Sequence, residues 1–509
     1  METLVNKVRK EMQIYDTKAR KKREFIPREK GKVAMYVCGP TVYNKIHIGN
    51  ARTFLSFDMI RRYFEYRGYE VTFVQNLTDC DDKIINKANE EERSPEEVTE
   101  EFINKFINDM HDAGVLDPTI RPRATQEIPE MIDITQTLID KGHAYEVEGD
   151  VYFDVSSDKT YGVLSGRDVE DAESGHRTLV ADGQGLEKRK RAEADFALWK
   201  ASKPGEPSWD SPWGKGRPGW HTECVCMSKK YLGLPFDIHG GGSDLIFPHH
   251  ENEIAQAECA WGQGFANYWM HSGMLKINDE KMSKSLGNFL MLDEVLNQTD
   301  ARVLRMLTLQ THYRTPLNFS EERLTEAGKA LGNIENCIRN LEWLIKNSTD
   351  GKPTIDSDEL VELIKKCKDA FISHMDDDFN APAAVGEIAS FSNELNKIFD
   401  PNKTISKDDA KAAEKAKDLL IELFGVFGID LNQNSENNDE SVPTEISSIC
   451  KTIGIEEAGT LDKTLEKIIS VRAEARKNKD WAKADKIRDE IASAGWTMED
   501  TAQGTKIYK

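Results

Sequence analysis

No stretch of the 509-residue chain approaches the ~20 consecutive apolar residues that a membrane helix requires, so the sequence reads as soluble, with no membrane partner. Positive charge is in deficit. Lysine and arginine total 68 against 89 aspartate and glutamate, a formal net charge of −21, so any nucleic-acid partner must be met by local basic patches. Cysteine is sparse: eight residues, at 38, 80, 224, 226, 259, 337, 367 and 450, lie scattered, which points to reduced thiols or metal ligands rather than disulfides. The opening Met1-Glu2-Thr3-Leu4-Val5-Asn6-Lys7 carries acid and no apolar core of signal-peptide length, so the cytoplasm is the expected compartment. No internal repeat is visible, and the lack of a His-Glu-x-x-His pattern argues against a zinc hydrolase.

What is present is patterned. Val33-Ala34-Met35-Tyr36-Val37-Cys38 is a short apolar run halted by Gly39-Pro40, as expected for a buried strand that delivers Cys38 to its C-terminal edge. Phe54, Leu55, Met59, Tyr63 and Phe64 then recur at helical spacing, Gly68 supplies a stop, and residues 69–74 read as a second strand. That is a βαβ unit with a parallel-sheet signature, and the fold class is α/β, Rossmann-type. Residues 95–115 and 126–141 read as helices, and His143 to Val155 as a hairpin turning at Gly149-Asp150, so an α+β insertion interrupts the fold. Beyond Thr299 the pattern is helical to about residue 430, the mark of a bundle. Leu431 to Thr444 has the polar composition of a solvated linker, and a small basic module follows it.

Two segments suit phosphate chemistry, although taken alone the first reads better as a helix cap with a surface histidine and the second equally as a solvated loop. The run from Pro40 and Thr41 through His47-Ile48-Gly49-Asn50 joins the first strand to its helix, where backbone amides receive phosphate, His47 and Asn50 donate, and Gly49 permits close approach. Lys281-Met282-Ser283-Lys284-Ser285 offers two cations and two hydroxyls for charge that builds on a transferring phosphate. In this order, across a split βαβ domain, the pair resembles the HIGH and KMSKS signatures of class I aminoacyl-tRNA synthetases. Asn50 stands where the first motif usually ends in histidine, and it keeps a donor.

Metal ligands are less determined by spacing. His249 and Glu253 are four apart and share a helix face, and Cys38 and Cys224 can add thiolates from separate segments, a set that suits zinc. His221, His239, His250, Glu251 and Cys226 are equally plausible on periodicity alone. The segments MYVCGPTVY, NLTDCDDKI, PGWHTEC, FDIHGGGSDLIFPHHENEIAQ and KDWAKADKIRDEI resemble the cysteinyl-tRNA synthetase family from about residue 30 to the C-terminus. The resemblance implies zinc, one per chain, on Cys38, Cys224, His249 and Glu253. It also implies an amino-acid pocket bordered by Gly39, Thr78, Trp220, His239 and Asp244.

The implied reaction is attack by the cysteine carboxylate on the α-phosphate of ATP, with Mg²⁺, followed by transfer to cysteine tRNA. Lys284, with His47 and Asn50, is then the expected catalytic group. A zinc that reads the substrate thiolate solves a discrimination that packing against serine does poorly, while a purely structural zinc is the runner-up role. The implied domains are a catalytic domain split into 1–116 and 215–270, a connective insertion at 117–214, and a KMSKS and stem-contact region at 271–320. A helical bundle at 321–430, a linker at 431–456 and an anticodon-binding module at 457–509 follow, in a monomer. Basic stretches at Lys188-Arg189-Lys190-Arg191 and at Arg472, Arg476, Lys477, Lys479, Lys483, Lys486 and Arg488 fit an RNA partner, with Trp481 or Trp496 available to stack a base. The terminal Gly504 to Lys509 lacks the tryptophan common near the family's end. Two rivals are a ligase joining cysteine to an amino sugar, which has no use for residues 457–509, and a zinc-dependent RNA-binding regulator, against which the two intact signatures argue.

Overall fold

A computed structural model describes residues 11–167, 189–282, 289–432, 442–501 and 504–508. The chain divides into two units, the first comprising 1–328, 371–385 and 426–428, the second the rest.

The first unit is organised by a parallel sheet. Strands β1 (Gln13–Asp16) and β2 (Lys21–Glu24) form a separate antiparallel hairpin, after which come β3 (Lys32–Val37), helix α1 (Ile48–Tyr66) and β4 (Glu70–Val74). Helices α2 (Asp82–Glu90), α3 (Pro95–Asp112) and α4 (Ile128–Asp140) lead to β5 (Ala144–Val147), β6 (Asp150–Phe153), β7 (Phe196–Ala201) and β8 (Gly216–Pro218). The chain then returns through α5 (Trp220–Leu232), β9 (Phe236–Gly242), α6 (Glu251–Trp261) and β10 (Ala266–Ser272). The order β10-β9-β3-β4 is parallel throughout, with Tyr36 opposite both Val74 and His239. Both faces are covered, and β3 and β9 are buried over most of their length. The connections from β3 and β9 run to opposite sides, which makes the C-terminal ends of these strands a switch point where ligands bind. Cys38 stands at that end.

An antiparallel sheet β5-β6-β7-β8 lies over the stretch expected as an insertion, turns at Gly149-Asp150 and has 216–218 as its last strand. The expected boundary at 214 therefore falls inside the sheet. A three-stranded sheet β12-β11-β13 follows from β11 (Leu275–Ile277), β12 (Glu280–Lys281) and β13 (Leu317–Phe319), with α7 (Leu292–Leu296) and α8 (Ala301–Leu309) between the last two. Buried ion pairs close the unit: Arg305 Nη1 bonds Asp58 Oδ2 at 2.6 Å. Residues 376–378 complete it from far along the chain. Gln13 N donates to Asp376 O, Asp378 N to Gln13 O, Tyr15 N to Asp378 Oδ1, and Tyr63 Oη and Arg67 to Asp376.

Long helices α9 (Glu321–Lys346), α10 (Ser357–Met375), α11 (Ala381–Ile398) and α12 (Lys407–Val426) are the bundle that the apolar spacing predicts. The terminal module contains α13 (Thr444–Ile453), α14 (Leu461–Lys477), α15 (Trp481–Ser493), β14 (Thr497–Thr501) and β15 (Gly504–Tyr508). Ile446, Ile449 and Cys450 pack in one core with Leu465, Ile468, Ile487 and Trp496. The segment expected as linker to residue 456 is thus helical from 444, and it supplies part of the module's core. No helix among the described residues is long and apolar enough to cross a membrane.

Candidate active site

Two groups of donors meet where β3 and β9 end. Cys38 follows β3, Cys224 lies on the buried face of α5, and His249 and Glu253 flank the start of α6. Cys38 Sγ is 3.7 Å from Cys224 Sγ and 3.6 Å from Glu253 Oε1, and Cys224 Sγ is 3.6 Å from His249 Nε2. Zinc bonds of ~2.3 Å to sulfur and ~2.0–2.1 Å to nitrogen or oxygen put tetrahedral edges at about 3.8 Å between sulfurs and about 3.6 Å between sulfur and either of the others. These three edges match that tetrahedron. His249 Nε2 and Glu253 Oε1 are closer, a direct hydrogen bond at 2.8 Å.

An overlapping set, Cys38, His239, His250 and Glu253, is also close enough to hold an ion. Cys38, Cys224 and His249 line the cavity at the sheet edge, while His239, His250 and the shared Glu253 are outside its described lining, and all six side chains are buried. Histidines also bond these donors: His239 Nε2 meets Glu253 Oε2 at 2.5 Å, His221 Nδ1 meets His249 Nδ1 at 2.8 Å, and His250 bridges Cys38 Sγ at 3.3 Å to His271 at 2.8 Å. Outer partners of this kind fix ligand orientation and tautomer. Burial opposes charge on His249, but Glu253 and Cys224 raise its pKa to about 10. Burial likewise opposes ionisation of Cys224, yet the Cys38 and His249 hydrogen bonds hold it below the usual thiol value. His221 and His250 are pushed down by burial and by neighbouring imidazoles. His271 is the member of this shell that spacing does not reveal, since only the pairing of β9 with β10 brings it in.

The cavity has room for about 400 Å³ and is walled on its other side by Pro40, Thr41, His47, Gly49, Asn50 and Met282. His47 caps α1: its Nδ1 accepts from Asn50 N at 3.1 Å, and Asn50 Oδ1 accepts from His47 N. The neutral His47 ring therefore carries its proton on Nε2, and Asn50 donates only through Nδ2. A Cβ on Gly49 would lie 2.8 Å from His47 Nδ1 and 2.9 Å from Met282 Cε, so glycine keeps the wall open. Backbone bonds stitch this loop to the chain beyond residue 288: Ile48 N donates to Leu290 O and Leu292 N to Ile46 O. Ser283, Lys284 and Ser285 lie outside the described residues, as does the Lys281 side chain.

Of the five residues expected at the amino-acid pocket, Gly39, Trp220 and Asp244 line the cavity, with Trp220 stacked 4.1 Å from the His249 ring. Two do other work. Thr78 is buried, bonds Glu223 Oε2 at 2.6 Å, and holds residues 40–42 through its backbone. His239 is stacked on Trp269 and bonded to Glu253, one layer behind the pocket.

Some expected RNA contacts are committed elsewhere. Arg189 pairs with Glu148 and Asp150, Lys190 bonds backbone carbonyls of 193 and 195, and Arg191 covers the Tyr145 ring at 3.9 Å. Lys188 lies outside the described residues. Arg472 is paired with Asp500, and Trp496 is in the module's core, whereas Trp481 is 57% exposed.

A model for the tRNA synthetases class I (C) catalytic domain matches residues 24–329, one for the DALR domain 370–432, and one for the cysteinyl-tRNA ligase anticodon binding domain 458–507. A cysteine–tRNA ligase of Clostridioides difficile strain 630 is 46% identical over 495 residues, covering 97% of this chain and 99% of that protein. One from Carboxydothermus hydrogenoformans is 47% identical over 501 residues, again 97% and 99%. Methionyl-tRNA synthetase of Mycobacterium tuberculosis, solved with methionyl-adenylate, superposes with a TM-score of 0.58 at 16% identity over 78% of this chain and 90% of that one, a likeness of fold alone. With a class I catalytic model across more than half its length and cysteine–tRNA ligases matching nearly all of it, the chain belongs to the cysteinyl-tRNA synthetase family of class I aminoacyl-tRNA synthetases.

Proposed function

We propose that the cavity activates L-cysteine with ATP, releasing pyrophosphate from cysteinyl adenylate, and passes the cysteinyl group to the 3′ end of cysteine tRNA. One observation carries the reading: Cys38, Cys224 and His249 open onto the same cavity that His47, Gly49 and Asn50 line. Zinc on Cys38, Cys224, His249 and Glu253 would supply a soft Lewis acid that favours thiolate over hydroxyl, which separates cysteine from serine where packing does so weakly.

The chain's own groups account for the rest. Trp220 shields one side of the donor set from water, Gly39 allows the amino acid close to the backbone, and Asp244 offers a carboxylate to its ammonium. His47 Nε2, Asn50 Nδ2, Pro40 and Thr41 hold the nucleotide, with Mg²⁺ accompanying ATP. The cysteine carboxylate forms a bond to the α-phosphorus as the bond to pyrophosphate breaks. Lys284 neutralises the charge that builds there, and Lys281, Ser283 and Ser285 contribute to binding the nucleotide. No covalent intermediate on the protein is needed, so catalysis is positioning and charge stabilisation.

For tRNA, the proposed organisation keeps the catalytic domain, insertion, stem-contact region and bundle, with the insertion extended to 218. The anticodon-binding module then begins at the helix from 444, and exposed Trp481 stacks an unpaired base. All eight cysteines are free thiols, in keeping with a cytoplasmic enzyme. The test is ATP–pyrophosphate exchange. It should require cysteine, fall on treatment with a zinc chelator and return on adding zinc; exchange that ignores cysteine would overturn the reading.

A further inference from the structure

ATP is a polyanion, and among the described residues the cavity lining contains two cations, Lys45 and Lys83. Lys83 stands over the Tyr43 ring at 5.9 Å. Lys45 lies two residues before His47, on the loop that enters the N-terminus of α1, the end of a helix that favours negative charge. Its ammonium bonds Asp293 Oδ2 at 2.7 Å. The backbone stitch between 46–48 and 290–292 sets these two side chains next to each other.

Asp293 does not depend on Lys45. Lys105 Nζ reaches the same oxygen at 3.0 Å and also pairs with Asp109 at 2.8 Å. Should Lys45 turn away, the carboxylate keeps a cation. The Lys45 side chain is 44% exposed, which leaves it space to swing, and an ion pair this open to water contributes little net stability. A compact ammonium on a flexible stem suits a phosphate oxygen as well as a carboxylate.

We propose that Lys45 is a phosphate-binding residue of the adenylation step, and that it exchanges Asp293 for a phosphate oxygen of ATP when the nucleotide binds. The inference rests on the reading of the cavity as an ATP and cysteine site. Asp293 is then a competitor for the cation rather than a support, so freeing Lys45 from it strengthens nucleotide binding.

The experiment measures ATP and cysteine KM values in pyrophosphate exchange for the full-length enzyme and for Lys45→Met, Lys45→Arg, Asp293→Asn and the Lys45→Met/Asp293→Asn double variant. Lys45→Met should raise the KM for ATP about tenfold with the cysteine KM unchanged, the loss of one charge-assisted bond, and Lys45→Arg should recover most of it. Asp293→Asn should move the other way, lowering the ATP KM roughly two- to threefold, and the double variant should resemble Lys45→Met. If both single variants raise the ATP KM equally and the double is no worse, the pair is a structural latch and the proposal fails. If Lys45→Met changes nothing while the unaltered enzyme shows cysteine-dependent exchange, the proposal fails alone. If the unaltered enzyme shows no such exchange, the functional reading falls and this inference with it.

Discussion

Cys38 and His47 sit on one loop and face one cavity, yet their surroundings differ in kind. Around Cys38 the donors are buried, and His239, His221 and His250 lock them from behind through bonds of 2.5 to 3.3 Å. Around His47 the wall is partly exposed, and its groups are held by a helix cap, a backbone stitch and an ion pair open to water. A small ligand that must be told from its isostere needs donors already in place, since any slack is shared with the wrong substrate. A large polyanion is recognised by many contacts, and its side of the cavity tolerates adjustment. The donor side should therefore be brittle and the nucleotide side graded.

The largest effect should come from breaking the donor side. Cys224→Ala should cost at least ~10³-fold in kcat/KM for cysteine while the ATP KM stays within about threefold, measured by exchange kinetics on protein whose metal content is assayed. A comparable loss in ATP affinity would show that the two sides are not separate. The companion spectroscopic result is one more sulfur at ~2.3 Å in the zinc absorption spectrum on adding cysteine but not serine. An unchanged shell would leave only the structural role.

On the nucleotide side, Lys284→Ala should slow adenylate formation ~10²-fold with cysteine binding nearly intact, as expected for a contact made in the transition state. Equal losses in rate and binding would count against that role. One layer out, His239→Phe should weaken zinc retention ~10- to 100-fold in chelator competition, without touching ATP. Retention at the original level would return His239 to the amino-acid pocket. The smallest effect on exchange belongs to truncation after residue 441: adenylate formation should stay within about twofold while selective charging of cysteine tRNA is lost. A cut at 457 is the sharper control, because it strands Ile446, Ile449 and Cys450 without their core and should lower solubility.

The sheet was legible where local pattern decides structure. The apolar run at 33–38, the helical spacing of Phe54 to Phe64 and the Gly149-Asp150 turn each carry their own evidence, and the observed elements follow them. Where structure depends on a distant partner, the sequence is silent. The strand at 216–218 is three residues long and exists because β7 pairs with it. The helix at 444–453 has an apolar face of three residues next to a polar stretch, enough only against 465, 468 and 487. Thr78 and His239 are bonded to Glu223 and Glu253, partners 145 and 14 residues away, which no spacing rule reports. Likewise basic stretches read as free charge until Glu148, Asp150 and Asp500 are seen to neutralise members of them.

The closure of the first unit by residues 376–378 has a consequence in time. Tyr15 and Asp378 are separated by 363 positions, and on a ribosome adding ~5–20 residues per second the strand at 13–16 waits on the order of half a minute for its partner. Until then Tyr63 and Arg67 lack Asp376, and the edge of β1 is open to other chains. The first unit is therefore a late product of synthesis, complete only once residues 376–378 have emerged.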